Sequence, residues 1–347
     1  MSVLERNRYL LAQPFSKNVE TYVCPISKSK NEVSDGLKIA GGWRFFNELR
    51  VIQKKENVFS ESIMTPLKLI EEAKNESKEA LQEAENVIDA ITNKRLSFSN
   101  LNMSQPHVMG IINSTPDSFY KKSRSTNSSF AIKKSNQMIS DGASIIDIGG
   151  ESSRPGAKKI SIEEEMQRVI PSIIDFKKNN LVTQISLDTR NLPTMKLGLE
   201  SGVDIINDIS GFEDHNKIKF VSKFNLPVIV MHMQNEPNNM QIDPKYSFAP
   251  IDIYKILSKR VNLLIQMGVN KSNIVVDPGI GFGKNIYHNL EILRNVSLFH
   301  SLGVPILIGL SRKTFIHEVV VKGYKYEGIT KRSISPTKRL SGSLAFA

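Results

Sequence analysis

Short apolar runs in the later two-thirds of the chain are followed by side chains that could bind a ligand. Asp188, Asn207 and Asp277 stand at or just after the ends of three of these runs. Carboxylates and amides brought together in one place can grip a flat heterocycle rich in N–H donors through paired hydrogen bonds. Each aspartate alone could instead cap the helix that follows it. The three together with Lys313 favour a shared binding site for such a ring.

Two stretches rich in hydroxyl groups follow the first two apolar runs. They are NSTPDSF at 113–119 and ESSRPGA at 151–157, which includes Arg154. Hydroxyls, backbone N–H groups and a guanidinium are suited to holding phosphate oxygens. The same residue types also dominate ordinary turns, so both interpretations stay open at the level of composition.

Other kinds of site are not supported by the spacing. The sequence contains no His, Cys and carboxylate cluster at metal-ligand spacing, no G-x-S-x-G motif and no Cys–His pairing. The glycines at 279, 281 and 283 precede Lys284 but lack the spacing of a P-loop, and Asn285 stands where its Ser or Thr would be. We expect these glycines to allow a sharp turn or a close approach to a ligand. His232 is expected to be a packed or hydrogen-bonding side chain.

The apolar runs indicate the elements that position these residues. Seven runs alternate with amphipathic stretches, which is typical of parallel strands joined by helices. The runs are HVMGIIN (107–113), SIIDIGGE (144–151), TQISLDT (183–189), DIINDIS (204–210), PVIVMHM (227–233), IVVDPG (274–279) and PILIGLS (305–311). An open doubly wound sheet would gather its chemistry at one switch point, whereas all seven runs end in polar residues. The sequence therefore predicts a (β/α)8 TIM barrel, whose strand ends open onto one mouth.

The predicted barrel is one strand short. Only 36 residues follow Ser311, and none of them has the pattern of an eighth strand. We expect an α/β protein with seven barrel strands present and the eighth missing through C-terminal truncation, because an open barrel exposes unpaired backbone. Residues 106–347 would form this incomplete barrel. Residues 1–105 are predicted to form an N-terminal α/β extension and linker, with one helix over about 66–92 that begins at Thr65-Pro66.

Composition restricts the class of protein further. The 347 residues include no run long enough to span a bilayer, no secretory signal and one cysteine, Cys24, so we predict a cytoplasmic protein without membrane contact. The net charge is +11, of which residues 107–347 contribute +10. A basic portion favours an anionic partner, although a merely solvated basic surface stays an alternative. Nucleic acid is disfavoured, because no nucleic-acid-binding motif is present.

Eight segments together resemble the dihydropteroate synthase family. They are HVMGIINSTPDSF, GASIIDIGGESSRPGA, ISLDTR, IINDISG, MHMQ, DPGIGFGK, SRK and RLSGSLA, in the order and roughly the spacing of that family. The resemblance covers about 107–347 and implies the pterin-binding TIM-barrel fold. It also implies a transferase of folate biosynthesis, which joins 7,8-dihydropterin-6-ylmethyl diphosphate to p-aminobenzoate, releases pyrophosphate and gives 7,8-dihydropteroate.

The resemblance also implies roles for individual residues. Those that would bind the pterin are Asp188, Asn207, Asp277, Lys313 at the oxo and N5 edge, and Met231 or Met233 near the ring face. Those that would serve the other groups are Asn113 for a Mg²⁺–diphosphate, Ser153, Arg154 and Pro155 in a mobile loop, and Phe282 and Ser311 for p-aminobenzoate. The implied chemistry is SN1-like, with Lys313, Arg154 and Asp188 as the catalytic residues.

Two departures from the family pattern bear on activity. Lys121 stands where the family has an aspartate after DSF, and the eighth strand with its Arg-x-His is missing. We therefore expect this chain to be poorly active or unstable and its longer parent to be active. Two alternatives stay open: a methyltetrahydrofolate-dependent methyltransferase, which needs no diphosphate site, and a non-catalytic pterin-binding remnant. Family members are commonly dimers, so a homodimer is possible.

Overall fold

The chain divides into two compact units in the computed structural model. The structure describes residues 10–26, 36–114, 124–152, 157, 159–180, 183–326 and 335–346. The first unit comprises the described part of Met1–Ser97 with Asn102–Gln105 and Arg294–Ile306, and the second comprises the described parts of Phe98–Leu101, Pro106–Leu293 and Leu307–Ala347.

A three-stranded antiparallel sheet in the order β1-β4-β5 forms the centre of the first unit. The strands are β1 (Glu20–Ile26), β2 (Leu37–Lys38), β3 (Phe45–Phe46), β4 (Glu48–Lys55) and β5 (Val58–Met64), with β2 and β3 forming a separate antiparallel pair. Two helices follow, α1 (Pro66–Glu76) and α2 (Lys78–Thr92). Val51 of the sheet, Leu69 of α1 and Ile91 of α2 are buried in one hydrophobic core, so apolar burial joins both layers.

The prediction of one helix over about 66–92 is wrong at Ser77. The backbone of Ser77 is extended (φ −168°, ψ 169°), and its side chain accepts a hydrogen bond from the Ala80 N–H. Serine side chains compete for backbone donors in this way, so Ser77 ends α1 and caps α2. Thr65 caps the start of α1, as the Thr65-Pro66 pair predicts.

A later segment of the chain completes the first unit. The 3₁₀-helix Val296–Leu302 packs against β1 and α2. Arg50 Nη2 donates to Asn295 Oδ1 at 2.8 Å, and Arg95 Nη2 donates to the carbonyl oxygen of His300 at 3.0 Å. Residues 1–105 therefore do not contain the whole of this unit.

Six parallel strands form the centre of the second unit. They are β6 (Val108–Asn113), β7 (Ala143–Gly149), β8 (Gln184–Asp188), β9 (Ile205–Asp208), β10 (Val228–Met231) and β11 (Ile274–Asp277), and each pairs with the next in chain order. Most residues of β7 to β11 are buried. Continuous apolar runs are typical of parallel strands covered on both faces, and these six predicted runs are confirmed as strands.

Helices alternate with these strands. They are α3 (Arg124–Ser140), α4 (Ile162–Lys178), α5 (Leu192–Glu200), α6 (His215–Lys223), α7 (Ala249–Gln266), α8 (Ile286–Arg294), α9 (Thr314–Tyr326) and α10 (Leu340–Phe346). Within the described part of the chain, no helix is long and apolar enough to cross a membrane.

The seventh predicted strand, 305–311, is less regular than the other six. Its residues are not paired as a ladder, and a single bridge is present at Ile306. The Leu307 N–H still donates to the carbonyl oxygen of Val276 at 2.8 Å. The segment therefore follows β11 at the same edge of the sheet.

A buried glutamate joins the helices beside the strand ends. Glu165 of α4 accepts hydrogen bonds from Thr189 Oγ1 (2.9 Å), Asn191 Nδ2 (2.9 Å) and Thr194 Oγ1 (2.5 Å). These donors belong to the turn after β8 and to the start of α5. One carboxylate thus fixes the course of the chain immediately after Asp188.

We predict that Glu165→Ala lowers the free energy of unfolding by about 2–4 kcal/mol, because three donors lose their acceptor. Chemical denaturation followed by circular dichroism measures this change. Glu200→Ala, which removes an exposed carboxylate at the end of α5, is the matched control and should change stability by less than about 0.5 kcal/mol. Equal effects of the two substitutions would contradict the assigned role of Glu165.

Candidate active site

The register of the parallel sheet aligns four strand ends. Asn113 of β6 pairs with Gly149 of β7, Gly149 pairs with Asp188 of β8, and Asp188 pairs with Asn207 of β9. Residues paired in register point to the same side of a sheet. The structure therefore brings together Asp188 and Asn207, as the sequence predicts, and places Asn113 on the same row.

Asp147 is a site residue that the sequence analysis missed. It is two residues before Gly149 on β7, and Asn207 Nδ2 lies 3.4 and 3.3 Å from its two carboxylate oxygens. Burial raises the pKa of Asp147, and the amide of Asn207 partly offsets this effect. A charged residue inside the apolar run SIIDIGG is the signal that could have identified it, because buried charges in strands need a partner.

Asp188 is the carboxyl group of this row, and its pKa is raised by its surroundings. Burial raises its pKa well above the ordinary value, and the negative charges of Asp147, Glu165, Asp208 and Glu151 raise it further. Asp188 therefore holds a proton more readily than an exposed aspartate. A ligand that brings N–H donors or positive charge to this position would relieve the repulsion.

The turn after β8 is tied to the start of the loop after β7. Arg190 Nε and Nη2 each donate to a carboxylate oxygen of Glu151 at 3.1 Å. This bidentate ion pair is largely shielded from solvent. Planar guanidinium–carboxylate pairs of this kind fix orientation as well as distance. The predicted residues Ser153, Arg154 and Pro155 come directly after this anchor, but they lie outside the described residues, as does Lys121.

The loop after β9 is fixed by a buried ion pair. Lys217 Nζ donates to Asp208 Oδ2 at 2.8 Å and to Ser210 Oγ at 2.7 Å. Asp208 also accepts from the backbone N–H groups of Ser210 and Phe212. Asp208 therefore holds the turn that follows Asn207.

Asp277 and Met231 form a second part of the site. The two residues are paired in register at the ends of β11 and β10, and both are buried. The Gly279 N–H donates to Asp277 Oδ1 at 2.7 Å. Burial raises the pKa of Asp277, while this hydrogen bond and the charges of Lys313 and Lys284 act in the opposite direction.

Lys313 approaches Asp277 from the segment after the seventh run. Its Nζ lies 4.1 Å from the centre of the Phe282 ring. Its aliphatic chain passes so close to Gly281 (φ +84°) that an added Cβ there would lie 3.2 Å from Lys313 Cδ. Burial lowers the pKa of Lys313 to about 8, against the attraction of Asp277. The predicted residues Asp277, Phe282 and Lys313 are thus brought together.

The remaining predicted residues lie at the periphery. Met233 is half-buried and lines an open cavity of about 700 Å³ together with His232 and Tyr246. Ser311 is exposed in the turn before α9, and Asn113 is exposed at the end of β6. His232 is buried, as expected for a packed histidine.

The strand ends present two different sets of functional groups to a ligand. Acidic and amide groups at the ends of β7, β8 and β9 can accept hydrogen bonds from a ligand. Lys313 and Phe282 present a cation and an aromatic face beside Asp277. A flat ring with N–H donors on one edge and a carbonyl or ring nitrogen on another matches this division.

Comparisons with known proteins agree with this geometry. The family of pterin binding enzymes matches residues 109–347. Dihydropteroate synthase of Escherichia coli K12 is 39% identical over 249 residues, which cover 72% of this chain and 84% of the relative. The chain belongs to the dihydropteroate synthase family. Its reaction class is therefore that of a transferase.

Solved structures of the family resemble the chain in fold. The Yersinia pestis dihydropteroate synthase in complex with a sulfonamide drug matches with a TM-score of 0.63 and 34% identity, over 73% of this chain and 88% of that one. The Xanthomonas albilineans dihydropteroate synthase with 4-aminobenzoic acid matches with a TM-score of 0.62 and 33% identity, over 73% and 86%. The TIM-barrel class predicted from the sequence is confirmed by these members of the family.

We predict that Asp188→Asn stabilises the fold by about 1 kcal/mol near neutral pH, because it removes a charge that its neighbours repel. The raised pKa means that the folded state binds the proton more tightly, so wild-type stability falls as pH rises from the ordinary aspartate value through the raised one. The difference between variant and wild type should therefore grow over that window and vanish in acid.

Urea unfolding of both proteins across a series of pH values measures this difference. The exposed Asp141→Asn at the end of α3 is the control. A destabilised Asp188→Asn would show that the charge is compensated in the unliganded protein.

Proposed function

We propose that this chain condenses 7,8-dihydropterin-6-ylmethyl diphosphate with p-aminobenzoate to give 7,8-dihydropteroate and pyrophosphate, by an SN1-like mechanism. The proposal rests on two groups of residues at the strand ends. One group contains Asp147, Asp188 and Asn207, and the other contains Asp277 and Lys313. Family membership supplies the reaction, and this arrangement supports the roles of the residues.

The pterin ring would be held edge-on by the mouth residues. Asp188, Asn207 and Asp277 would bind its N–H and amino groups, and Met231 would contact the ring face. Lys313 would donate to the oxo and N5 edge. Because burial raises the pKa values of the two aspartates, hydrogen bonds from the ring would satisfy groups that are costly to leave unpaired.

The reaction would proceed in two steps. The bond between the methylene carbon and the diphosphate oxygen breaks, and the electron pair leaves with the diphosphate. The aniline nitrogen of p-aminobenzoate then donates its lone pair to the methylene carbon, and the new ammonium group loses a proton to water. The carboxylates near Asp188 would favour positive charge on the pterin during the first step, since opposite charges attract strongly where water is excluded.

The diphosphate would be bound with Mg²⁺ at the end of β6. Asn113 is exposed there and offers an amide oxygen, which is a suitable ligand for this cation. Magnesium keeps several waters and is usually bound through one or two protein carboxylates together with substrate phosphate, so with Asn113 as a ligand most of its coordination would come from water and the diphosphate. When bound, Mg²⁺ would neutralise charge on the leaving diphosphate. Ser153 and Arg154 stay predicted partners of that group.

The p-aminobenzoate would lie over Phe282, next to Ser311 and Pro155. The Xanthomonas albilineans enzyme was solved with 4-aminobenzoic acid, which supports p-aminobenzoate as a substrate of this chain. The Phe282 ring beneath Lys313 offers an apolar face with a cation beside it. This is a suitable surface for an aromatic carboxylate.

We further propose a cytoplasmic location. The sequence has one cysteine, Cys24, which is buried, and a chain without an internal disulfide is compatible with a reducing compartment. The homodimer stays a prediction.

The test is product formation by the protein expressed from its natural gene, with Mg²⁺ and both substrates, followed by chromatography. We predict that Asp277→Asn lowers kcat/KM about 100-fold, because a hydrogen-bonded carboxylate to the pterin is lost. The exposed Asp141→Asn should retain full activity. Pterin binding without product in the wild-type protein would favour the non-catalytic remnant instead.

The pH dependence of kcat/KM provides a second test. Because the pKa of Lys313 in the free site is about 8, kcat/KM should fall above that pH as the ammonium loses its proton. Lys313→Met should have much lower activity and no alkaline limb of this origin. An unchanged alkaline limb in the variant would assign that titration to another group.

A further inference from the structure

Lys284 carries a buried amine that the proposed reaction does not use. It directly follows the glycine loop, which we define as residues 279–283, and only 3% of its surface is exposed. Burial lowers its pKa well below the ordinary lysine value. Burying an amine is costly unless every polar position has a partner, so its contacts indicate what it does for the fold.

The contacts of Lys284 join two loops of the mouth. Its Nζ donates to the carbonyl oxygen of Phe282 at 2.8 Å and to that of His232 at 3.3 Å. The same Nζ lies 3.0 Å from His232 Nδ1. One amine therefore links the residue after β10 to the glycine loop after β11.

The glycine loop is pressed against the same carbonyl group. At Gly279, where φ is +67°, an added Cβ would lie 2.0 Å from the carbonyl oxygen of His232. The Tyr246 hydroxyl donates to the carbonyl oxygen of Gly283 at 2.9 Å, and Gln241 Nε2 donates to that of Gly281 at 2.7 Å. The loop thus has one well-defined course, and Lys284 holds the part that carries Phe282.

The course of this loop determines where the Phe282 ring lies. The ring is the surface over which Lys313 Nζ sits at 4.1 Å. We propose that Lys284 is a positioning residue, which acts through hydrogen bonds to the Phe282 and His232 carbonyls to keep the Phe282 ring beneath Lys313. This inference rests on the proposed function, because it makes Lys284 set the p-aminobenzoate part of the site.

Two residues of the pterin part, Asp188 and Asn207, do not depend on Lys284 in the same way. Asp188 and Asn207 are aligned by the register of β8 and β9, and Asp147 supports Asn207. Loss of Lys284 should therefore affect the two substrates unequally. A lysine that only stabilised the fold would not produce such a difference.

The test compares Lys284→Met, which removes all donors, with Lys284→Gln, which keeps an N–H₂ donor without charge. For Lys284→Met we expect the KM for p-aminobenzoate to rise roughly tenfold, because a small displacement of a binding surface has effects of this size or larger. The Kd of a 6-substituted pterin, measured by fluorescence, should stay within about twofold. The KM of Lys284→Gln for p-aminobenzoate should lie between the values for Lys284→Met and the wild type.

The alkaline limb of the pH profile is a second readout. If the Phe282 ring moves away, water reaches Lys313, and the limb should shift to higher pH because the burial that lowers its pKa is reduced. Lys177→Met, on the surface of α4, is the control and should change none of these values. Should Lys284→Met fail to fold, Tyr246→Phe loosens the same loop and should raise the same KM by a smaller factor.

The outcomes separate this proposal from the proposed function. If wild-type protein binds pterin but makes no product, the function fails, and the positioning role is then judged by equilibrium binding of p-aminobenzoate in the presence of pterin and pyrophosphate. Equal losses for both substrates, or Met and Gln variants that behave like wild type, would overturn the role of Lys284.

Discussion

The site depends on the burial of neighbouring carboxyl groups at one end of a parallel sheet. Asp147, Asp188 and Asp277 reach this end because their strands run in the same direction and in register. Burial raises the pKa of each one. Buried carboxyl groups lower the stability of the protein when the site is empty. A ligand with N–H donors would relieve this cost, so the cost in the folded protein favours ligand binding.

The surrounding residues fix the backbone that carries these carboxyl groups. Glu165 accepts three hydrogen bonds from the chain after Asp188. Asp208 accepts hydrogen bonds from the Lys217 ammonium group and from two backbone N–H groups in the turn after Asn207. Each of these groups satisfies its own charge or donors locally. The turns that follow Asp188 and Asn207 are therefore held by side chains other than those of the mouth residues themselves.

The sequence predicts the strands well because six apolar runs are separate from one another and five of them, β7 to β11, are mostly buried. It also predicts that Asp188, Asn207 and Asp277 converge, since parallel strand ends share one edge. It does not reveal Asp147, because Asn207, its partner, is sixty residues later in the chain and meets it only in the folded sheet. Ser77 divides the predicted helix because a local side-chain hydrogen bond outweighs periodicity. Lys284 follows three glycines that lack the spacing of a P-loop. Its hydrogen bond to the carbonyl oxygen of His232 depends on the fold and cannot be predicted from the motif.

The two halves of the mouth place charge in a way that suits an ionising substrate. The ends of β7, β8 and β9 gather acidic groups, whereas Lys313 stands beside Asp277 on the opposite side. A pterin bound between them would have its developing positive charge facing carboxylates, with its oxo edge facing an ammonium. Asn113, the predicted ligand of the Mg²⁺–diphosphate, lies on the same row as Asp188, so the leaving group would be bound at the edge of the sheet that carries the acidic groups.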